Sequence, residues 1–388
     1  MKMGGIDPSL FFENGKAYYC TNQRVDNNKE CISLAEIDVE TGALTSEIKS
    51  IWNGTGGGFL EAPHLYHIGG WYYIFAAEGG TNFNHMITVG RSRDIWGPYQ
   101  AYEKNPILSN RNDTTKTVAC SGHGDLVEDK NGNWWIVHLA TRPVNNWLSH
   151  IGRETFLMPV TWQEEWPVIG NDCKSHIQAD GSLWETQKPL SSWEADFSSQ
   201  QFAPRLLFLR SPSHENYVLK NGSLFLKPSM VDLCEAVGSP TLIILRQPDI
   251  SCEIFAKMNF KTCENGDEAG MTVYLSNRFF YKFCKKRIND KDYLLVEKFA
   301  DDFQQTAFCM EAENGILNFK ITARPEKYDF YYFADADEPH YLCSAATRFL
   351  SCELAGKCFT GVMTGLYAVC RQSTPAEAEI LSFKTDCH

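Results

Sequence analysis

The 388-residue sequence is 43% hydrophobic, 22% charged and 13% aromatic, the balance of an ordinary globular chain with room for two cores. A net charge of -12 at pH 7 argues against nucleic acid and anionic membranes as partners, because both are held through basic patches. No run approaches the apolar length of a membrane span, and the start Met1-Lys2-Met3-Gly4-Gly5 has no apolar signal core, so a cytoplasmic location is expected.

From the N-terminus one phrase recurs three times. Asp7-Pro8-Ser9-Leu10 runs through Asn14-Gly15 into Ala17-Tyr18-Tyr19-Cys20, and Glu61-Ala62-Pro63-His64-Leu65 through Gly69-Gly70 into Trp71-Tyr72-Tyr73-Ile74. Gly122-His123-Gly124-Asp125-Leu126 runs through Asn131-Gly132-Asn133 into Trp134-Trp135-Ile136-Val137. Each phrase predicts a short strand, a tight turn and an aromatic strand, hence a β-hairpin. The spacing suits a four-stranded sheet plus its connection, which suggests propeller blades. Propellers close with at least four blades, and only about three are legible here. The first begins at residue 4, so front blades are expected to be absent.

Asp7, Glu61 and His123 read as occupying matching places at the start of each repeat. Innermost propeller strands line a central channel, so three titratable groups would converge there, as at an active site. Taken singly, each is also ordinary turn chemistry. His123 faces either a water cluster or a calcium ion on the axis, or is simply a hydrogen-bonded core histidine. Trp71, Trp134 and Trp135 read as blade core. The fourteen cysteines form no zinc-spaced CxxC pair and read as reduced, mostly buried thiols.

These segments resemble glycoside hydrolase family 43, whose members are five-bladed propellers that hydrolyse xylosides and arabinofuranosides with inversion. Gly5-Ile6-Asp7-Pro8-Ser9-Leu10-Phe11 is similar to the segment carrying the aspartate that orients the acid, and Glu61-Ala62-Pro63-His64-Leu65-Tyr66 to the segment carrying the general acid. Ala76-Ala77-Glu78-Gly79-Gly80-Thr81, Ser121-Gly122-His123-Gly124 and Leu139-Ala140-Thr141-Arg142-Pro143 match the xylosidase and arabinofuranosidase branch. Gly152-Arg153-Glu154-Thr155 resembles the motif whose arginine reaches the sugar in the deepest subsite. Thr81, and Phe83 and His85 just after it, are expected at the border of the sugar pocket.

Inverting hydrolysis needs a protonated carboxyl beside the leaving oxygen and an ionised one opposite, roughly 6.5–9.5 Å away, to activate water. Glu61 is the expected acid, with a pKa raised by partial burial and by Asp7. Asp7 alone would be a candidate base; the resemblance assigns it to the orienting role. Arg153 would clamp sugar hydroxyls, with a structural Arg153–Glu154 pair as the alternative. The family's base lies in an Asn-Pro-Asp-Pro-like segment that this chain lacks, so either a truncated hydrolase or a sugar-binding pseudoenzyme is expected.

A Ser- and Pro-containing connector runs from Ser182 to Trp193 and separates a partial propeller, 1–185, from a sandwich, 193–388. Strand-like runs such as Leu206-Leu207-Phe208-Leu209 and Tyr328-Asp329-Phe330-Tyr331-Tyr332-Phe333 fill the second half, and the resemblance implies a concanavalin-like jelly roll. Phe359 is expected either in its core or leaning over the sugar site. The expected partners are xylo- or arabino-oligosaccharides, with a homo-oligomer covering exposed faces.

Overall fold

The structure, a computed structural model, describes residues 3–25, 29–144, 146–179, 192–199, 201–312, 315–333, 338–356, 359–371 and 376–387. Most of the expected connector and Cys358 lie outside the described residues. Among the described residues the chain is all-β apart from two 3-10 turns, and it forms two compact units: Met1–Pro143 with Arg153–Glu185, and Val144–Gly152 with Thr186–His388. Among the described residues no helix is long and apolar enough to cross a membrane.

The first unit contains three consecutive four-stranded antiparallel sheets, each ordered as in the sequence. The first holds β1 (Ser9–Glu13), β2 (Lys16–Val25), β3 (Lys29–Glu36) and β4 (Lys49–Trp52). The second holds β5 (Glu61–Ile68), β6 (Trp71–Glu78), β7 (Met86–Ser92) and β8 (Gln100–Ala101). The third holds β9 (Ala119–Glu128), β10 (Trp134–Thr141), β11 (Glu154–Gln163) and β12 (Trp166–Ile169).

Turn chemistry sets the first two hairpins. Asn14 and Gly15 have φ of 50° and 76°, and Gly69 and Gly70 of 59° and 77°, the paired left-handed conformations of a two-residue turn. Glu13 accordingly pairs with Lys16 and Ile68 with Trp71. The third hairpin departs from the expected tight turn. Glu128 pairs with Trp134, and the five residues between them wrap on Asp129, whose carboxylate accepts from the Asn131 and Asn133 amides at 2.8 and 2.9 Å.

The run Tyr73-Ile74-Phe75-Ala76 is apolar without alternation because β6 is covered on both faces. Ile74 and Ala76 pack with Tyr18, Cys20, Ile32 and Leu34 of the first sheet. Tyr73 and Phe75 pack with Leu126, Ile136, Met158 and Val160 of the third. Trp135 is buried, while Trp71 and Trp134 are half-buried against that same cluster. On β1, Leu10 and Phe12 face outward, 49% and 63% exposed.

The second unit is a β-sandwich. One sheet runs in the order 217–220, 223–226, 378–387, 252–260, 316–323, 327–333 and 340–346, with 192–194 joined to 378–387. The other runs in the order 207–208, 241–246, 363–369, 268–276, 279–288, 291–300 and 303–311. Ile254, Met258, Phe319 and Phe330 of the first face Met271, Val273, Phe283 and Leu366 of the second in one core. On the other face of the second sheet Lys282 is buried, with Asp232 at 2.8 Å and Glu268 at 2.9 Å. Burial alone would push the Glu268 carboxyl up, but Lys282 and Lys286 outweigh it and hold it at about 2.

Residues 144–152 leave the first half of the sequence to join this sandwich. The Ser149 amide and hydroxyl donate to Glu353 at 2.8 and 2.6 Å, and the Val362 amide donates to the His150 carbonyl at 2.8 Å. Ile151 is part of the core. Gly361 crosses so close that a Cβ on it would lie 2.1 Å from the Ile151 oxygen. Phe359 is 40% exposed, so it is not the core residue it resembles in sequence. All thirteen described cysteines are free thiols, seven of them buried.

Candidate active site

Asp7 lies just before β1, Glu61 opens β5 and Arg153 just precedes β11, while His123 is the fifth residue of β9. In β5, Glu61 pairs with Ala77 and His64 with Phe75, so one extra residue is accommodated on the β5 side. Ala62 takes a left-handed φ of 50°. In β9, Gly124 pairs with His138 and Gly122 with Leu139, leaving His123 as the extra residue at φ 51°. Asp7, just before β1, has φ 50°. Bulges of this kind re-aim side chains at strand ends.

The register of the repeat is therefore corrected. The matching places are Asp7, Ala62 and His123, and Glu61 stands one residue earlier. Aligning Pro8 with Pro63 exposes that offset in the sequence.

Glu61 is half-buried and lines an open cavity of about 480 Å³ together with Gly4, Ile6, Asn22, Arg24 and Glu30. His123 reports on its neighbours. Burial holds its imidazole below the usual range, His64 and Arg153 push it the same way, and Asp7 and Asp125 oppose them. Asp7, His123 and Arg153 thus lie in one electrostatic neighbourhood. Asp125 also accepts from the Tyr66 hydroxyl and sits 3.5 Å from His64 Nδ1. Glu154 forms a two-pronged pair with Arg142, at 2.9 and 2.8 Å.

His85, expected at the pocket border, is buried instead. Nδ1 lies 3.0 Å from the Cys120 carbonyl, which can only accept, so Nδ1 carries the proton. The ring lies against Gly122, where a Cβ would sit 2.5 Å from Nε2. Burial pulls this imidazole down to about 4, with Arg153, His123 and His138 adding to the effect. Thr81 and Phe83 are half-buried on the segment that follows β6.

Glu78 supplies order that motif reasoning did not single out. Its carboxylate is buried and accepts from the Thr55 amide at 2.8 Å, the Gly57 amide at 2.7 Å and the Thr88 hydroxyl at 2.8 Å. It thereby pins the glycine-rich loop leading into Glu61. The signal available in the sequence was a carboxylate closing a continuous apolar strand.

Among the described residues the three-donor cluster is Glu268, Cys284 and Glu297 in the sandwich, where Lys282 and Lys286 already neutralise Glu268.

Known proteins resemble this chain over most of its length. "Glycosyl hydrolases family 43" matches residues 1–167, and "Beta xylosidase C-terminal Concanavalin A-like domain" matches residues 194–385. The non-reducing end alpha-L-arabinofuranosidase BoGH43B of Bacteroides ovatus is 35% identical over 94% of this chain and 68% of its own length. A xylosidase/arabinosidase of Butyrivibrio fibrisolvens is 32% identical over 94% of this chain and 73% of its own. The solved GH43 protein BlXynB of Bacillus licheniformis superposes with a TM-score of 0.88, at 30% identity over 99% of this chain and 75% of that one. The chain belongs to glycosyl hydrolase family 43 and is a glycosidase by that membership.

Proposed function

We propose that the site takes a terminal β-D-xylose or α-L-arabinofuranose of a plant-derived oligosaccharide, with Glu61 as general acid, Asp7 as its orienting carboxylate and Arg153 as the sugar clamp. We read the three sheets as blades of a five-bladed propeller, residues 1–185 as the glycosidase domain and 193–388 as its sandwich. The observation that carries this reading is the set of matching left-handed positions at Asp7, Ala62 and His123, with Glu61 directly before Ala62 and half-buried on an open cavity.

In the inverting step, the Glu61 carboxyl gives its proton to the glycosidic oxygen as the anomeric C–O bond breaks. Water adds from the opposite face and loses its proton to a base. Arg153 presents a planar fork of donors to neighbouring sugar hydroxyls. A carboxylate beside the acid favours its protonated form, which is the part given to Asp7. No segment of this chain resembles the family's base motif, so turnover is the property to be tested. The relatives are named for both sugars, which makes the two sugars the arms of the experiment.

The chain is incubated with an aryl β-xyloside and an aryl α-L-arabinofuranoside beside Glu61→Gln. Release that disappears in the variant is the expected result, and the faster substrate names the sugar. No release from a folded chain refutes catalysis by these residues alone. Calorimetry then decides whether it binds sugar without turnover.

A further inference from the structure

Two residues ahead of Glu61, Phe59 holds its ring in solvent. It is 57% exposed, and its φ of 52° lies in the left-handed region that bulky side chains rarely adopt. It is not the loose tip of a floppy loop, because both flanks are tied. Before it, the Gly57 amide is bound to buried Glu78, and the Gly58 carbonyl accepts from the Gly79 amide at 2.8 Å. After it, the Leu60 side chain is buried in the core of the first unit, and its amide donates to Glu30 at 3.0 Å.

The ring also lies over Gly80, where a Cβ would come 3.2 Å from it, beside Thr81. Held backbone strain around an exposed aromatic concentrates at functional sites. Nothing in the packing of the first unit requires this ring to face water.

We propose that Phe59 is a stacking platform for the sugar on the leaving-group side of Glu61. This rests on the reading of Glu61 as the acid. A proton donor must stand where the bond to the leaving group breaks, so the residues that lead into it border both glycosyl units. An outer sugar can lay its C–H face on the exposed ring. The rigid loop pre-orients the ring, so little freedom is lost on binding. The ligand is therefore an oligosaccharide at least two units long, and the ring contributes to chain-length preference.

Calorimetry compares xylobiose and arabinobiose with xylose and arabinose, all in a Glu61→Gln background that binds without hydrolysing, for the chain with Phe59 otherwise unaltered, Phe59→Ala and Phe59→Tyr. Phe59→Ala is expected to weaken disaccharide binding about tenfold and to leave monosaccharide binding unchanged, while Phe59→Tyr keeps both. Thermal unfolding of all three should coincide, since the ring is exposed. Unchanged disaccharide affinity in Phe59→Ala overturns the proposal, and so does an equal loss for monosaccharide. A Glu61→Gln chain with Phe59 unaltered that binds none of the four sugars overturns it together with the proposed function, a result distinct from the other two.

Discussion

Acid should loosen the first unit through two buried imidazoles. His85 and His138 are 4% and 2% exposed, and burial holds each at about 4 against an ordinary 6.5. Each is therefore neutral when folded at pH 5 but protonated when unfolded. Unfolding takes up protons between pH 6.5 and 4, so stability is full above that window and falls as pH drops through it. One pKa unit corresponds to about 1.36 kcal/mol, so each histidine can withdraw about 3 kcal/mol and the pair about 6. That approaches the whole stability of an ordinary domain, about 5–15 kcal/mol. Urea unfolding at about pH 7, 6, 5 and 4 measures it. Tryptophan fluorescence is a suitable probe, because Trp52, Trp71, Trp135 and Trp166 all lie in the first unit. The expected slope near pH 5 is about 3 kcal/mol per pH unit, and His138→Gln should roughly halve it. An unaltered slope in both His138→Gln and His85→Gln would refute the reasoning.

Two further predictions concern the sandwich. Gly361→Ala forces a Cβ to 2.1 Å from the Ile151 carbonyl oxygen at φ 72°, and should cost roughly 3 kcal/mol. Gly356→Ala, at φ 71° with nothing within 4 Å, carries the backbone strain alone and should cost about 1 kcal/mol by calorimetry; equal costs would remove the steric argument. Lys282→Met removes the buried cation between Asp232 and Glu268, leaving them only the more exposed Arg371 at 3.1 Å and Lys286 at 2.8 Å. It should cost about 3–5 kcal/mol in urea titrations and be insensitive to salt, and a loss below about 1 kcal/mol would contradict a buried pair.

The hairpins were legible because their information is local. Asn14-Gly15 and Gly69-Gly70 specify two-residue turns, and the flanking alternation specifies the inward faces. The third turn misled because Asp129 organises a longer loop, which the Asn131-Gly132 pair conceals. The one-residue slip between Asp7 and Glu61 arose because a bulge spends a residue without changing the phrase around it. His85 and Glu78 were harder to read for a different reason. Their roles depend on how closely separate segments approach, His85 against Gly122 and Glu78 against Gly57, and no spacing rule encodes that distance. Phe359 sits among residues that look like core, and only its exposure distinguishes it.

The excursion of residues 144–152 affects how this chain can be recombined. In sequence the two halves read as joined at one connector, yet residues 144–152 belong to the second unit, held there through Ser149, Ile151 and Gly152, before the chain returns to the first at Arg153. A gene cut at the connector would separate Glu353 and the core around Ile151 from the segment they hold. Exchange of the sandwich for an unrelated module would leave an apolar, hydrogen-bonding strip with nothing to receive it. The two halves are therefore expected to travel through evolution as one inherited piece, with the strip and its receiving loop changing together.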